Sequence, residues 1–159
     1  HELIGGEVYA VPPMNPPHAT TTRHALDALY DRLDRTQVVI GSQVPVIVST
    51  TDEPEPDIWV ARGPRSLYHD RHVTTADLLL VIEVSASSLD WDRAVKVPRY
   101  AAAGIPEVWI IDVANRKVHV FAQPDADSAT YRSVTTVAVT ATLALPTTAA
   151  ALPVAELFH

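Results

Sequence analysis

A chain of 159 residues with 47 % hydrophobic content is long enough for one domain with a real core, too short for two ordinary ones, and too apolar for a disordered segment. A net charge of −7 excludes an overall basic nucleic-acid footprint, and the absence of cysteine excludes disulfides and thiolate metal sites. No apolar run approaches the roughly 20 residues that a membrane span needs, and no basic segment precedes an apolar one, so neither membrane insertion nor a signal peptide is expected and a cytoplasmic location fits.

The chain begins at His1 rather than an initiator Met and ends in Phe158-His159, which raises the expectation of a missing preceding segment or of added terminal residues. Glu2 to Val11 predicts a two-strand hairpin turning at Gly5-Gly6. Glu7 in it is a solvated strand residue on the plain reading and an accessory acid on the sharper one. Pro12 to Pro17 predicts a stiff linker. From His18 to Arg35, Ala25, Leu26, Leu29 and Leu33 recur at helical spacing, with Thr20 to Thr22 as N-cap candidates. Gln37 to Thr50 predicts one strand broken near Pro45, or a hairpin. A polar loop then leads into Pro56-Asp57-Ile-Trp-Val60, a short strand starting with an acid. Ala61 to Thr75 is the most basic segment and a candidate for approaching phosphates. Its His69-x-x-His72 spacing suits a metal on a helix, but such a pair is more often a solvated loop.

Asp77 to Asp112 organises the rest. Leu78 to Ile82 is a continuous apolar run, as in a strand covered on both faces. Glu83 ends it, and a buried carboxylate is costly unless paired, hydrogen-bonded or bound to metal. A Ser-rich turn and a helix near Asp92 to Ala103 follow, capped by Asp90 or Asp92 and stopped by Gly104. Asp92, Lys96 and Tyr100 share one helical face. Pro98 removes one of its hydrogen bonds, which asks for a kink or a helix start near Asp92. Val108 to Ile111 is a second buried strand, so the order strand, helix, strand suggests a crossover unit. Beyond it, Lys117 to Phe121 and two alternating runs within Thr130 to Leu145 predict strands, and Ala149 to Phe158 predicts a strand and a short helical turn.

An acid ending an apolar strand, then Ser85-x-x-Ser88-x-x-x-Asp92-x-x-x-Lys96-x-x-x-Tyr100-Ala-x-x-Gly104-Ile-Pro-Glu-Val-Trp, resembles the Uma2 family of the PD-(D/E)XK nuclease-like superfamily. Ser85-Ala86-Ser87-Ser88 stands where usual members carry Ser-Pro-Ser-Thr. The resemblance extends weakly over nearly the whole chain, with Glu7 and His18 near positions where members carry Glu and His. It implies a single 1–159 domain of restriction-endonuclease-like α/β fold: a central mixed sheet flanked by helices, with N- and C-terminal β-hairpin extensions.

The implied chemistry is phosphodiester hydrolysis. One or two Mg²⁺ ions (or Mn²⁺) polarise the phosphoryl oxygen, activate water and stabilise the leaving oxygen. Mg²⁺ takes hard oxygen ligands and keeps several waters, so two carboxylates and a carbonyl suffice. The sequence offers Asp57 and Glu83, and the resemblance adds the Val84 carbonyl. Glu83-Val84-Ser85 lacks the superfamily's Lys at its third position. In the Uma2-like pattern that Lys comes from the next helix, which makes Lys96 the candidate, to orient water or stabilise charge. The plain reading makes Lys96 a surface partner of Asp92. Tyr100 is expected to pack with its hydroxyl at the rim, and the three tryptophans to be core or interface residues. DNA is the expected substrate and a homodimer the expected assembly, since two related sites cut two strands. The acidic charge keeps open a non-catalytic descendant of the fold that serves as an interaction module.

Overall fold

The computed structural model describes residues 1–158; the reading of His159 as an added residue lies outside them. The chain opens with the expected hairpin, β1 (Glu2–Ile4) antiparallel to β2 (Glu7–Tyr9). Gly5 and Gly6 turn it at φ values of 60° and 82°, the left-handed backbone that a two-residue hairpin loop demands. Helix α1 (Pro16–Arg32) starts before His18. The Asn15 side chain caps it by accepting the His18 N–H at 3.0 Å. Pro16 and Pro17 take the first helical positions, where a missing N–H costs nothing. The proline linker is therefore shorter than the sequence suggested, and Thr20 to Thr22 lie inside the helix rather than at its cap.

Six strands follow: β3 (Val38–Ser42), β4 (Ile58–Arg62), β5 (Leu78–Ser85), β6 (Glu107–Asp112), β7 (Lys117–Asp125) and β8 (Thr130–Ala138). They form one mixed sheet in that spatial order. Every neighbouring pair is antiparallel except β5 with β6. A parallel pair needs a crossover, and the helical stretch between these strands supplies it. That stretch runs through α2 (Leu89–Trp91), a π-helical segment Asp92–Lys96, and α3 (Val97–Ala102). The Val97 N–H bonds back to the Asp92 carbonyl, closing the wide turn. Pro98 follows this wide turn as the second residue of α3 and has no N–H to give to the preceding turn. Gly104, at φ 72°, ends the helix.

Only Val38 to Ser42 of the Gln37 to Thr50 region is strand. Gly41 lies opposite Trp59, and a Cβ there would meet the indole at 2.1 Å. The C-terminal extension is an antiparallel ribbon, β9 (Thr142–Ala144) with β10 (Ala151–Pro153), and a 3₁₀ turn, Val154–Phe158. No helix among the described residues is long and apolar enough to cross a membrane.

Successive residues of β5 face opposite sides. Leu80, Ile82 and Val84 pack with Ala25 and Leu29 of α1 and with Leu152 and Leu157 of the C-terminal extension. Val81 packs with Val97, Tyr100, Ile105 and Ile110. Each fully buried Leu or Ile contributes about 1.5–3 kcal/mol, enough to fix the register. That register aims Glu83, on the Val81 face, at the crossover helix.

Candidate active site

Glu83 is 2 % exposed, at the carboxyl-terminal part of β5. The Tyr100 hydroxyl donates to its Oε1 at 2.6 Å, and Lys96 Nζ approaches the same oxygen at 3.2 Å. Oε2 has no hydrogen-bonding partner among the described residues. Asp57 stands just before β4, the strand beside β5. Its Oδ2 accepts the Val84 N–H at 2.8 Å and meets His18 Nε2 at 3.1 Å. Its Oδ1 likewise has no partner among the described residues. Each of the two acids is thus held by one oxygen and leaves the other open. In extended backbone a residue's carbonyl leaves on the same side as its N–H, so the Val84 carbonyl belongs to the gap next to Asp57.

The remaining contacts order the lysine. Nζ of Lys96 lies 2.9 Å from Glu2 Oε1 and 4.0 Å from Asp92 Oδ1. Asp92 Oδ2 accepts the hydroxyls of Ser85 at 2.5 Å and Ser88 at 2.7 Å, so the Ser-rich turn has a definite task. Glu2 is tied to the far loop through the Glu55 N–H at 2.9 Å. The hairpin that carries Glu2 is moored by Asp52, whose Oδ1 accepts the Gly5 N–H and Arg99 Nε, each at 2.7 Å.

Charge is crowded here. Burial pushes the Glu83 carboxyl up to about 8; Lys96 opposes this, and the charges of Asp57 and Asp92 add to it. Burial also raises Asp92, against Lys96 and the two serine hydroxyls. Burial alone would lower Lys96, but Glu83, Glu2 and Asp92 overturn that and raise it above its ordinary range, so Lys96 is a fixed cation and not a base. The hydrogen bond to Asp57 raises His18. The Tyr100 hydroxyl is pushed well up by burial and then by Glu83. Among the described residues, no three His, Cys, Asp or Glu side chains form a ready-made metal cage. The donors present are hard oxygens beside an excess of buried negative charge, which suits a small divalent cation that retains waters.

Asp57, Glu83, Val84 and Lys96 line one cleft. Two details differ from what the sequence led one to expect. Tyr100 is fully buried, with its hydroxyl on Glu83 rather than at the rim. The pair of Asp92 and Lys96 is buried, at 3 % and 7 % exposure, so it is no surface pair. Of the tryptophans, Trp59 and Trp109 are core residues, and Trp91 is 38 % exposed. His69 and His72 sit on an exposed loop and do not line the cleft; Glu7 is exposed and accepts from the Tyr9 hydroxyl. Glu2 and His18 were missed as contributors. Glu2 had left one signal: it shares the buried face of β1 with Ile4, an acid where an apolar residue belongs.

Comparison with known proteins adds the family. No curated protein matches the chain. A solved structure described as a putative nuclease belonging to DUF820, from Anabaena variabilis, is 16 % identical and superposes with a TM-score of 0.75, covering 99 % of this chain and 88 % of the other. At that identity the likeness establishes the nuclease-like fold. The family model described as "Putative restriction endonuclease" matches residues 1–155, and the chain therefore belongs to the Uma2 family.

Proposed function

We propose that this protein is a metal-dependent endonuclease that hydrolyses DNA phosphodiester bonds, with residues 1–159 acting as one nuclease domain. The observation that carries the reading is the pair of half-committed carboxylates, Asp57 and Glu83, each with one oxygen open beside a permanently charged Lys96. In this reading Asp57, Glu83 and the Val84 carbonyl hold Mg²⁺ or Mn²⁺. Bound there, the cation supplies a polarised phosphoryl oxygen and an acidified water. The Val84 N–H and His18 hold Asp57 in place, and Tyr100 does the same for Glu83. Lys96 gives its charge to the phosphate oxygens as negative charge builds on them. Glu2 and Asp92 keep its ammonium from swinging into solvent. Two copies of the site, related by two-fold symmetry, suit the cutting of two strands, so we include a homodimer, checked by sedimentation at micromolar concentration.

The net charge of −7 favours the second reading, a nuclease-fold module that binds a partner without catalysis. Plasmid nicking separates the two. Wild-type protein should nick supercoiled DNA in Mg²⁺ or Mn²⁺ and not in EDTA, and Asp57→Ala should lose at least about a hundredfold, the scale of a lost catalytic electrostatic group. Wild-type protein that never nicks, at any metal concentration, leaves the module reading standing.

A further inference from the structure

The cleft above the two carboxylates has a volume of about 410 Å³. Its floor is charged, but its mouth is not. Tyr9, Val11, Met14 and Trp91 line the rim and are each at least 36 % exposed. Lys96 is the one Lys or Arg among the lining residues, and Glu2 and Glu83 already engage it. An entrance built to track duplex phosphates needs several free cations. This entrance offers ring faces instead. Tyr9 and Trp91 meet with centroids 5.3 Å apart and planes tilted by 58°. Trp91 directly precedes Asp92, whose carboxylate closes the charged floor, so the indole stands one residue from the chemistry. Exposed aromatic faces next to a nucleotide path are what nucleobases stack on, and stacking needs the bases free of their partners.

We propose that the mouth of this cleft is a nucleobase-stacking platform made by Trp91 and Tyr9, and that the substrate it admits is single-stranded DNA rather than intact duplex. The proposal rests on the phosphodiesterase reading of the same cleft. An acidic chain fits it, because stacking supplies attraction that does not depend on a basic face. Trp59 and Trp109 are buried, so Trp91 is the indole whose fluorescence a stacked base would quench.

The test measures binding and cleavage separately. Binding uses Glu83→Gln protein and three labelled 12-mers of one sequence: single strand, single strand with three central abasic sites, and duplex. The intact single strand should bind at least about tenfold more tightly than the abasic strand, within the range of stacking on one aromatic, and more tightly than duplex. Trp91→Ala should erase the intact-to-abasic ratio. Trp91→Phe should keep it while losing most of the fluorescence quench. Equal affinity for intact and abasic strands, or a ratio untouched by Trp91→Ala, overturns the platform. Wild-type protein in Mg²⁺ supplies the second arm. Cleavage of duplex as fast as single strand, with no abasic effect, removes the platform and keeps the nuclease. No cleavage of any strand, with the abasic effect intact, removes the nuclease and keeps the platform.

Discussion

Replacing Lys96 by Met keeps the aliphatic stem and deletes the ammonium. As a surface partner of Asp92, Lys96 would be worth a few tenths of a kcal/mol. The structure gives a different magnitude. Nζ lies 2.9 Å from Glu2 and 3.2 Å from Glu83, with side-chain exposures of 8 %, 9 % and 3 %. Deleting one member of a buried pair strands the other charge and costs about 3–5 kcal/mol. The pH dependence has a definite sign. Lys96 is raised above 10.5, so its contribution is complete below that value and constant between pH 5 and 8. Change in this window comes from the acids. Glu83, raised from 4.5 to about 8, takes up a proton toward pH 5 and then needs no cation beside it. Lys96→Met should therefore cost about 3–5 kcal/mol at pH 8 and clearly less at pH 5, by urea unfolding of metal-free protein at unchanged m value. Nicking should be lost even where the variant is fully folded. A penalty under about 1 kcal/mol at both pH values would mean that Lys96 does not balance Glu2 and Glu83, and the charge argument for the site would fail.

Three further outcomes follow from the same geometry. Glu83, whose proton affinity is raised by folding, stabilises the metal-free protein fully below 4.5, and this is lost as pH rises through about 8. Glu83→Gln should flatten that slope, so that its stability relative to wild type rises from pH 5 to pH 8; parallel stability curves would contradict it. Asp57→Ala should abolish the heat of Mg²⁺ or Mn²⁺ binding in titration calorimetry, and an unchanged affinity would remove Asp57 from the ligand set. Burial alone would raise Asp52, but hydrogen bonds from Gly5, Ser49 and Arg99 bring it to about 2, so its contribution is present above 3.8 and lost as pH falls through about 2. Asp52→Asn should cost about 1–3 kcal/mol at pH 7 and speed amide exchange in Glu2 to Tyr9, whereas unchanged exchange there would free the hairpin from Asp52.

Much of the site was legible because it is local. Leu78 to Ile82 announces a buried strand, the acid at its end has no place in an apolar core without a purpose, and the spacing of Asp92, Lys96 and Tyr100 places them on one helical face. Lys96 and Tyr100 do meet on Glu83 Oε1. The depth of the helix was not legible: spacing says which residues share a face, not whether that face is the surface or the core. That is why spacing alone suits Tyr100 to the rim and leaves a surface pairing of Lys96 with Asp92 open beside the catalytic reading. Glu2 and His18 lay out of reach for another reason. Each meets its partner only after a long-range closure, Glu2 through the mooring of Gly5 to Asp52 and His18 through the packing of α1 over Val84 and its neighbours.

The wide turn from Asp92 to Lys96 gives this site slack in its length. A π turn holds one more residue than an α turn, so it takes in the extra residue without turning the helix on one side against the other. Deleting the exposed Arg93 would let the helix close to ordinary pitch. Lys96, Val97 and Tyr100 all lie beyond that deletion and would keep their mutual facing. Asp92 would stand three residues before Lys96 instead of four, on the same face still. In a regular helix the loss of one residue turns one side by about 100° against the other; in this turn it should leave Lys96 on Glu83.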